Sequence, residues 1–212
     1  MEDTVPRPTA NTAYSVHPSV PYAQAIIANL PAKTGHSLAE WTALLNRDTA
    51  GDAKARRDWL KATRGIGGTT ARMIAQASVG QGSEGWDSDA YLAAAAGYVE
   101  TMYEGKESLR PLFDALVKMA RSLGADIRIC PCTTIVPLYR THVFGEIKPT
   151  TKTRVDLGLA LRGVDGPLPE NLIDTGGLAK KDRITHRFAL SSVDDIDGDV
   201  REWLGVAYGL DG

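Results

Sequence analysis

The sequence predicts an α+β protein, in which a small helical domain is followed by a helix–antiparallel sheet–helix sandwich. The first observation is a series of short helical patterns separated by glycine-rich turns in the first third of the chain. The second is a strict alternation from Thr153 to Leu161, where odd positions are apolar and even positions are polar or small. A period of two indicates a half-buried strand. The third is a pair of amphipathic helices, from Leu109 and after Asp197, that flank the strand signals.

Composition and charge limit the classes of partner. The chain has 212 residues, of which 43% are hydrophobic and 24% charged, and its net charge is −2. This charge gives no global attraction to nucleic acid or to an anionic membrane, so such a partner would need a local basic patch. No apolar run approaches the length of a membrane span, and no basic and then apolar leader opens the chain. We therefore expect a cytoplasmic protein without a membrane partner.

Four segments are predicted along the chain. Residues 1–21 contain four prolines and little periodicity, which is typical of a flexible tail. Residues 22–79 form the helical domain. Residues 80–88 are a linker because they contain the sequence GQGSEG. Residues 89–212 form the α+β domain.

The helical domain is predicted to hold four helices. A short one precedes Pro31, and the next starts at a capping box, with Ser37 as N-cap and Glu40 three residues later. A third helix covers about residues 53–63, and a fourth begins after the glycine-rich turn at residues 65–68.

The α+β domain is predicted to begin with a small-residue helix over residues 90–102. A second helix follows, with Ser108 as its N-cap and Gly124 as its stop. Strands are expected at residues 127–132, 134–139, 153–161 and 184–190. Residues 148–152 should form a turn, because Pro149 fixes its own φ and forces its predecessor into extended geometry. Residues 163–177 read as a loop, and Asp197 precedes the closing helix.

Basic residues accumulate around the central strand. Between Arg140 and Arg162, five Lys or Arg residues face two acids. This local excess predicts a surface for a small polar or anionic molecule. The residues expected to bind it are Tyr139, Arg140, Lys148, Lys152, Arg154, Asp156 and His186. His186 is in phase with the apolar positions of its strand, so it is either a core histidine or a ligand contact near Arg154.

A second binding hypothesis rests on the turn Gly-Ile-Gly-Gly between two predicted helices. Such a turn resembles the helix-hairpin-helix of nucleic-acid-binding proteins, in which glycines let the backbone approach a phosphate. The residues that would contact DNA are Gly65, Ile66, Gly67, Gly68, Thr69 and Arg72. Glycines that simply end one helix before the next begins would give the same Gly-Ile-Gly-Gly sequence, so both interpretations stay open.

An enzyme is the third hypothesis. The four histidines are His17, His36, His142 and His186, and no His, Cys or Asp spacing matches a metal site or a catalytic triad. Hence no catalytic residue, metal or cofactor is assigned. Cys130 and Cys132 are too close for an ordinary disulfide and are expected to be buried thiols. A homodimer remains open.

Two resemblances to families cover about four fifths of the chain. Residues 33–41, with Trp59-Leu60 and the Gly-Ile-Gly turn, resemble a small helical bacterial family of unknown function, marked by a T-G-x-[ST] helix start. Residues 147–159, 185–187 and 193–197 resemble a second uncharacterised family, often fused to the first and sometimes labelled predicted transport proteins. The second part also resembles frataxin-like α+β domains, which handle iron through acidic clusters. Neither family brings a catalytic residue or cofactor, so the resemblances imply fold and organisation alone.

Overall fold

The computed structural model describes residues 14–212, which divide into two compact units. Residues 16–92 form the helical unit, and residues 14–15 with 93–212 form the α+β unit. The predicted tail, residues 1–21, lies mostly outside the described residues. In its described part the first helix already begins at Ser19, and Val20 is fully buried, so this part is structured.

The helical unit contains five helices of five to twelve residues and the start of a sixth. They are α1 (Ser19–Ala28), α2 (Leu30–Thr34), α3 (Leu38–Asp48), α4 (Ala53–Arg64) and α5 (Gly68–Ser78). The predicted linker holds a 3₁₀ turn, Ser83–Gly85, and the first residue of α6 (Ser88–Tyr103). The unit is held by an apolar core around Leu45, Leu60 and Ile74, none of which is exposed.

Local capping sets the helix boundaries in this unit. The capping box before α3 is confirmed, since the Ser37 hydroxyl accepts from the Glu40 amide at 3.2 Å and Glu40 Oε2 accepts from the Ser37 amide at 2.7 Å. Asp52 caps α4 in the same way, accepting from the Ala55 amide at 2.8 Å. At the other end, Gly65 closes α4 with a φ of 65°, which glycine adopts without steric cost.

The α+β unit contains a six-stranded antiparallel sheet with strand order β1-β2-β3-β4-β6-β5. The strands are β1 (Arg128–Ile129), β2 (Val136–Tyr139), β3 (Val143–Thr151), β4 (Arg154–Leu159), β5 (Leu172–Asp174) and β6 (His186–Leu190). The helices are α7 (Arg110–Arg121), α8 (Gly177–Lys180) and α9 (Gly198–Leu210). The end of α6 also belongs to this unit.

One hydrophobic core joins the sheet to its helices. The inward side chains of β4, Val155, Leu157 and Leu159, are fully buried and cluster with residues of α7 and α9. The alternation predicted for β4 is therefore confirmed, as is the α+β class with its helical N-terminal region. Asp197 caps α9 as expected, accepting from the Val200 amide at 2.9 Å.

The predicted turn at residues 148–152 is wrong. Strand β3 continues to Thr151, and only Lys152 and Thr153 turn. The ladder with β4 shifts register between Lys148 and Thr151, which is where Pro149 lies. Proline lacks the N–H that a regular ladder needs, so it is accommodated at this irregularity.

Three further predictions in this unit are corrected. Ser108 does not cap α7, because it lies inside a 3₁₀ turn that runs straight into the helix. Gly124 does not end α7 either, since the helix stops at Arg121; a Cβ at Gly124 would collide with the hydroxyl of Tyr208. The loop predicted at residues 163–177 contains the short edge strand β5.

Candidate functional site

The outer face of the sheet, opposite the helices, carries part of the predicted anion site. Asp156 lies between two arginines: Arg154 Nε and Arg187 Nη1 each lie 2.9 Å from Asp156 Oδ1. The contact between Arg154 Nε and Asp156 Oδ1 is an ion pair. The Nε–H group is not aligned well enough with the carboxylate to form a hydrogen bond. Thr150 donates its hydroxyl to Asp156 Oδ2 at 2.7 Å. The charges predicted to attract an anion therefore largely compensate one another.

Glu146 also belongs to the outer face, and no sequence pattern singles it out. It pairs across the ladder with Gly158, next to the pair Lys148 and Asp156. Burial raises the pKa of the Glu146 carboxyl, and the nearby Lys148 charge opposes that rise. The outer face thus combines a half-buried carboxyl with the exposed ammonium group of Lys148.

The remaining predicted ligand residues lie elsewhere in the α+β unit. His186 pairs with Leu159, so it occupies the sheet face that packs on the core, opposite to Arg154. Arg140 Nε donates to Asp126 Oδ2 at 2.8 Å, and its guanidinium lies 4.4 Å from the centre of the Tyr208 ring. The Tyr139 ring instead lies 5.7 Å from the guanidinium of Arg128. The seven predicted residues therefore do not converge on one concavity.

The helical unit holds a cavity of about 610 Å³, which we call the hairpin cleft. The turn between α4 and α5 forms one side of it, through Gly65, Ile66, Gly67, Thr69 and Thr70. Four of the six residues predicted to contact DNA are in this set. The other two, Gly68 and Arg72, are exposed but do not line the cleft.

The second side of the hairpin cleft is apolar and aromatic. Its lining residues here include Tyr22, Ile26, Leu30, His36 and Trp41. The Trp41 indole is 3% exposed and donates its Nε1–H to the Thr34 hydroxyl at 2.8 Å. The His36 ring lies 4.9 Å from that of Trp41, centre to centre, and fixes this wall.

The start of α5 presents backbone donors to the hairpin cleft. The first intrahelical bond runs from the Ala71 amide to the Gly67 carbonyl at 2.8 Å. The amides of residues 68–70 precede it and have no helical acceptor. Gly67 is the N-cap and has no side chain to satisfy them. These amides, with the positive end of the helix dipole, favour an anion.

Charge in the hairpin cleft is of one sign. Lys33 and Arg64 line it, and none of its described lining residues is acidic. The Arg64 guanidinium lies 5.4 Å from the centre of the Trp59 ring, which orients it. Arg56 and Arg57 of α4 do not line the cleft and have other partners. Arg56 bonds to Asn46 and Ser78 at the far end of the helix pair, and Arg57 pairs with its neighbour Asp58.

Neither a metal site nor a reactive thiol is found in the described part of the chain. Residues 14–212 contain no group of three His, Cys, Asp or Glu side chains that could hold a metal ion. Burial raises the pKa of Cys130 to about 12 and also raises that of Cys132. Both thiols are therefore weak nucleophiles near neutral pH.

The described residues include no helix with the length and apolar character that a membrane span requires.

Comparison with protein families identifies both parts of the chain. Residues 22–78 match a domain of unknown function, DUF4287, and residues 99–211 match another domain of unknown function, DUF5655. No curated protein and no solved structure is significantly similar to the chain. The second match covers more than half of the 212 residues and spans the sheet with α7 and α9. The chain therefore belongs to the DUF5655 family and carries a DUF4287 domain ahead of it.

Proposed function

We propose that the protein is a non-enzymatic binding protein whose helical unit binds nucleic acid through the hairpin cleft. The proposal rests on one observation: the charged side chains that line this cleft are both positive. Two cationic side chains line a cavity of about 610 Å³, the first turn of α5 borders it through Thr69 and Thr70, and no described lining residue is acidic. The net charge of −2 makes this local concentration of positive charge necessary for any such partner.

A phosphate group suits both kinds of donor in the hairpin cleft. Backbone amides at a helix N-terminus bind phosphate oxygens, because they point outward and carry partial positive charge. Lys33 and Arg64 supply full charges at the same opening. Contacts of this type hold the phosphate backbone and do not read bases, so binding should be indifferent to sequence and should weaken as salt rises.

Tyr22 favours a single strand over a duplex. Its side chain lines the hairpin cleft and is 68% exposed, although it is a large aromatic group. An exposed ring beside a phosphate site can stack on an unpaired base, whereas the bases of a duplex are already stacked. We expect tighter binding to single-stranded DNA than to duplex DNA of the same length.

Fluorescence anisotropy of labelled single-stranded and duplex DNA at two salt concentrations tests the proposal. The double variant Lys33→Ala/Arg64→Ala should lose about tenfold or more in affinity, because each lost phosphate contact weakens binding. The matched control is Lys54→Ala/Lys61→Ala, which removes two exposed cations of α4 that do not line the cleft. Equal losses in the two variants would mean that net charge matters and the cleft does not.

A steric test uses Gly67, which lines the cleft in an ordinary backbone conformation, with φ of −60°. A Cβ at Gly67 would meet no atom within 4 Å, so Gly67→Leu should fold and block phosphate access. Gly85→Leu is the matched control, because its Cβ also meets nothing and it lies away from the cleft. DNA binding that survives Gly67→Leu would remove the hairpin cleft as the site.

A second candidate function is the binding of a small polar or anionic molecule on the outer face of the sheet. Lys148 is exposed there beside the half-buried carboxyl of Glu146, and Lys152 is exposed at the adjoining turn. Thermal unfolding with a panel of small anions and nucleotides tests it, because a ligand of the folded state raises the melting temperature. A rise that persists in Lys148→Gln/Lys152→Gln would contradict this candidate.

Other expectations of the sequence stay predictions. A homodimer is one of them, and a transport role and a frataxin-like handling of iron rest on resemblance and not on a particular site. The acidic residues near the last helix have a structural role in the described chain: Asp195 accepts from the amides of Ser191 and Ser192, and Asp197 caps α9.

A further inference from the structure

A concavity of about 370 Å³ lies in the α+β unit at the end of α9, and we call it the C-terminal pocket. Three cationic side chains, Arg162, Lys181 and Arg183, line it together with the carboxylate of Asp211. Ala207 and Leu210 give it an apolar wall. It shares no lining residue with the hairpin cleft, nor with the residues predicted at the sequence level to bind a ligand.

The single acid of the C-terminal pocket is already engaged. The Asp211 side chain is 2% exposed and forms an ion pair with Arg183. Its other oxygen accepts from the backbone amide of His142 at 2.7 Å, and His142 Nδ1 lies 3.1 Å from Oδ1. Arg183 is held further by donation from Nε to the Val143 carbonyl at 2.6 Å. The carboxylate therefore fixes one cation in place and leaves the others uncompensated.

Arg162 and Lys181 are the uncompensated charges. Both side chains are exposed, and neither forms a hydrogen bond or an ion pair with a described residue. The pocket thus carries an excess of two positive charges beside an apolar wall. Cations that converge on a concavity without a carboxylate of their own attract an anionic ligand.

The backbone at Lys181 ends α8 in a left-handed conformation. Lys181 has a φ of 61°, and it is the one non-glycine residue with positive φ among residues 14–212. This left-handed conformation is costly for a residue with a side chain, and glycine would adopt it freely. Lys181 is the C-cap of α8, where helices commonly end in this conformation, so the end of α8 fixes where the lysine leaves the backbone beside the pocket.

We propose that the C-terminal pocket binds a small dianion, with its negative charges on Arg162 and Lys181 and its carbon skeleton against Ala207 and Leu210. A phosphate monoester and a dicarboxylate both have this chemistry. Because charge-assisted hydrogen bonds to Arg and Lys would provide the affinity, binding should weaken when either cation is removed.

Isothermal titration of the full chain with inorganic phosphate, methyl phosphate and succinate tests the proposal at constant ionic strength. We expect binding of at least one probe, and the preferred probe identifies phosphate or dicarboxylate as the ligand group. Arg162→Gln should weaken that binding by about tenfold, as expected for loss of one charge-assisted contact.

Lys181→Gly is the more informative variant. It removes the positive charge, and it also places glycine, which adopts positive φ without steric cost, at this position. The melting temperature without ligand should stay equal or rise, while affinity for the probe falls by about tenfold. Lys118→Gln is the control, since it removes an exposed cation of α7 in the same unit, outside the pocket and outside the outer face of the sheet. Absence of binding by all three probes, or equal affinities in Lys181→Gly, Arg162→Gln and the native chain, would overturn the proposal.

Discussion

The side chain of Glu146 lies over the backbone of Gly158 on the neighbouring strand. A Cβ at Gly158 would lie 2.9 Å from Glu146 Cγ and 2.7 Å from Ile184 Cγ2. The glycine therefore makes room for the half-buried carboxyl group of Glu146 on the outer face of the sheet.

Gly158→Ala should destabilise the α+β unit by about 1–3 kcal/mol, because the added methyl group overpacks the site. Unfolding in guanidinium chloride measures this loss. Gly97→Ala is the control: the Gly97 position lies in α6, its Cβ meets no atom within 4 Å, and alanine favours a helix interior. Equal stability of Gly158→Ala and the native chain would contradict the close approach of Glu146.

Glu146→Gln should raise the melting temperature near neutral pH. Burial raises the pKa of Glu146 in the folded state, so ionisation costs more there than in the unfolded chain. The free-energy cost of ionising Glu146 is fully present above its pKa in the folded state. It disappears below the pKa of glutamate in the unfolded chain, about 4.3. The advantage of the variant should therefore shrink as pH falls to about 4, and thermal unfolding at several pH values measures it. A constant advantage would mean that ionisation is not its cause.

Asp156→Ala should destabilise the α+β unit by about 2 kcal/mol, because it leaves two half-buried arginines and a threonine without their acceptor. The Asp156 side chain is 14% exposed. Asp114→Ala is a matched control on α7, where Asp114 is 61% exposed and pairs with Arg110 at 3.2 Å. It should change stability by about 0.5 kcal/mol or less. Similar losses in the two variants would show that Asp156 does not organise the outer face.

Arg56→Ala and Arg57→Ala test whether the arginines of α4 outside the hairpin cleft stabilise the fold or bind DNA. Arg56 Nη1 donates to Asn46 Oδ1 at 2.5 Å and to Ser78 Oγ at 2.9 Å, so its loss should destabilise the helical unit by about 1–2 kcal/mol. Within the described part of the chain, Arg57 pairs only with its exposed neighbour Asp58, and its loss should cost about 0.5 kcal/mol or less. At a temperature where both variants are folded, both should bind DNA like the native chain. Weaker binding in either would extend the site beyond the hairpin cleft.

The two cysteines should react slowly with a thiol reagent at pH 7. Burial raises the pKa of Cys130 to about 12 and raises that of Cys132, so little reactive thiolate is present. Cys132 is less buried and should react first. Absorbance during reaction with a chromogenic disulfide gives the rates, and the protein unfolded in guanidinium is the control. Equal rates in the folded and unfolded protein would contradict this prediction.

Local sequence patterns predicted most of the helices and strands, because interactions between residues close in sequence determine where these elements begin and which face they bury. The alternation of β4, the capping box at Ser37 and the Asp197 cap all depend on residues a few positions apart. Strand β3 was missed because two of its residues break the pattern. Pro149 lies at a register shift, and Gly145 occupies an inward position where the side chains of Leu138 and Leu204 fill the space.

The sites were less predictable because they are formed by distant segments. The Gly-Ile-Gly turn could be selected from its spacing, but its approach to Lys33, His36 and Trp41 depends on how two helix pairs pack. Nothing local distinguishes Arg162 or Lys181 from other surface cations. Likewise, Arg154 and His186 are both polar residues of predicted strands, and only the ladder register places them on opposite faces.

The conformation of Gly67 has a practical consequence. Its φ is −60°, so any residue could stand there, and the chain contains two cysteines, both with raised pKa values. Gly67→Cys would therefore introduce a thiol that reacts much faster than the native ones. An environment-sensitive dye attached at this position would report directly on whatever enters the hairpin cleft, including ligands not yet considered.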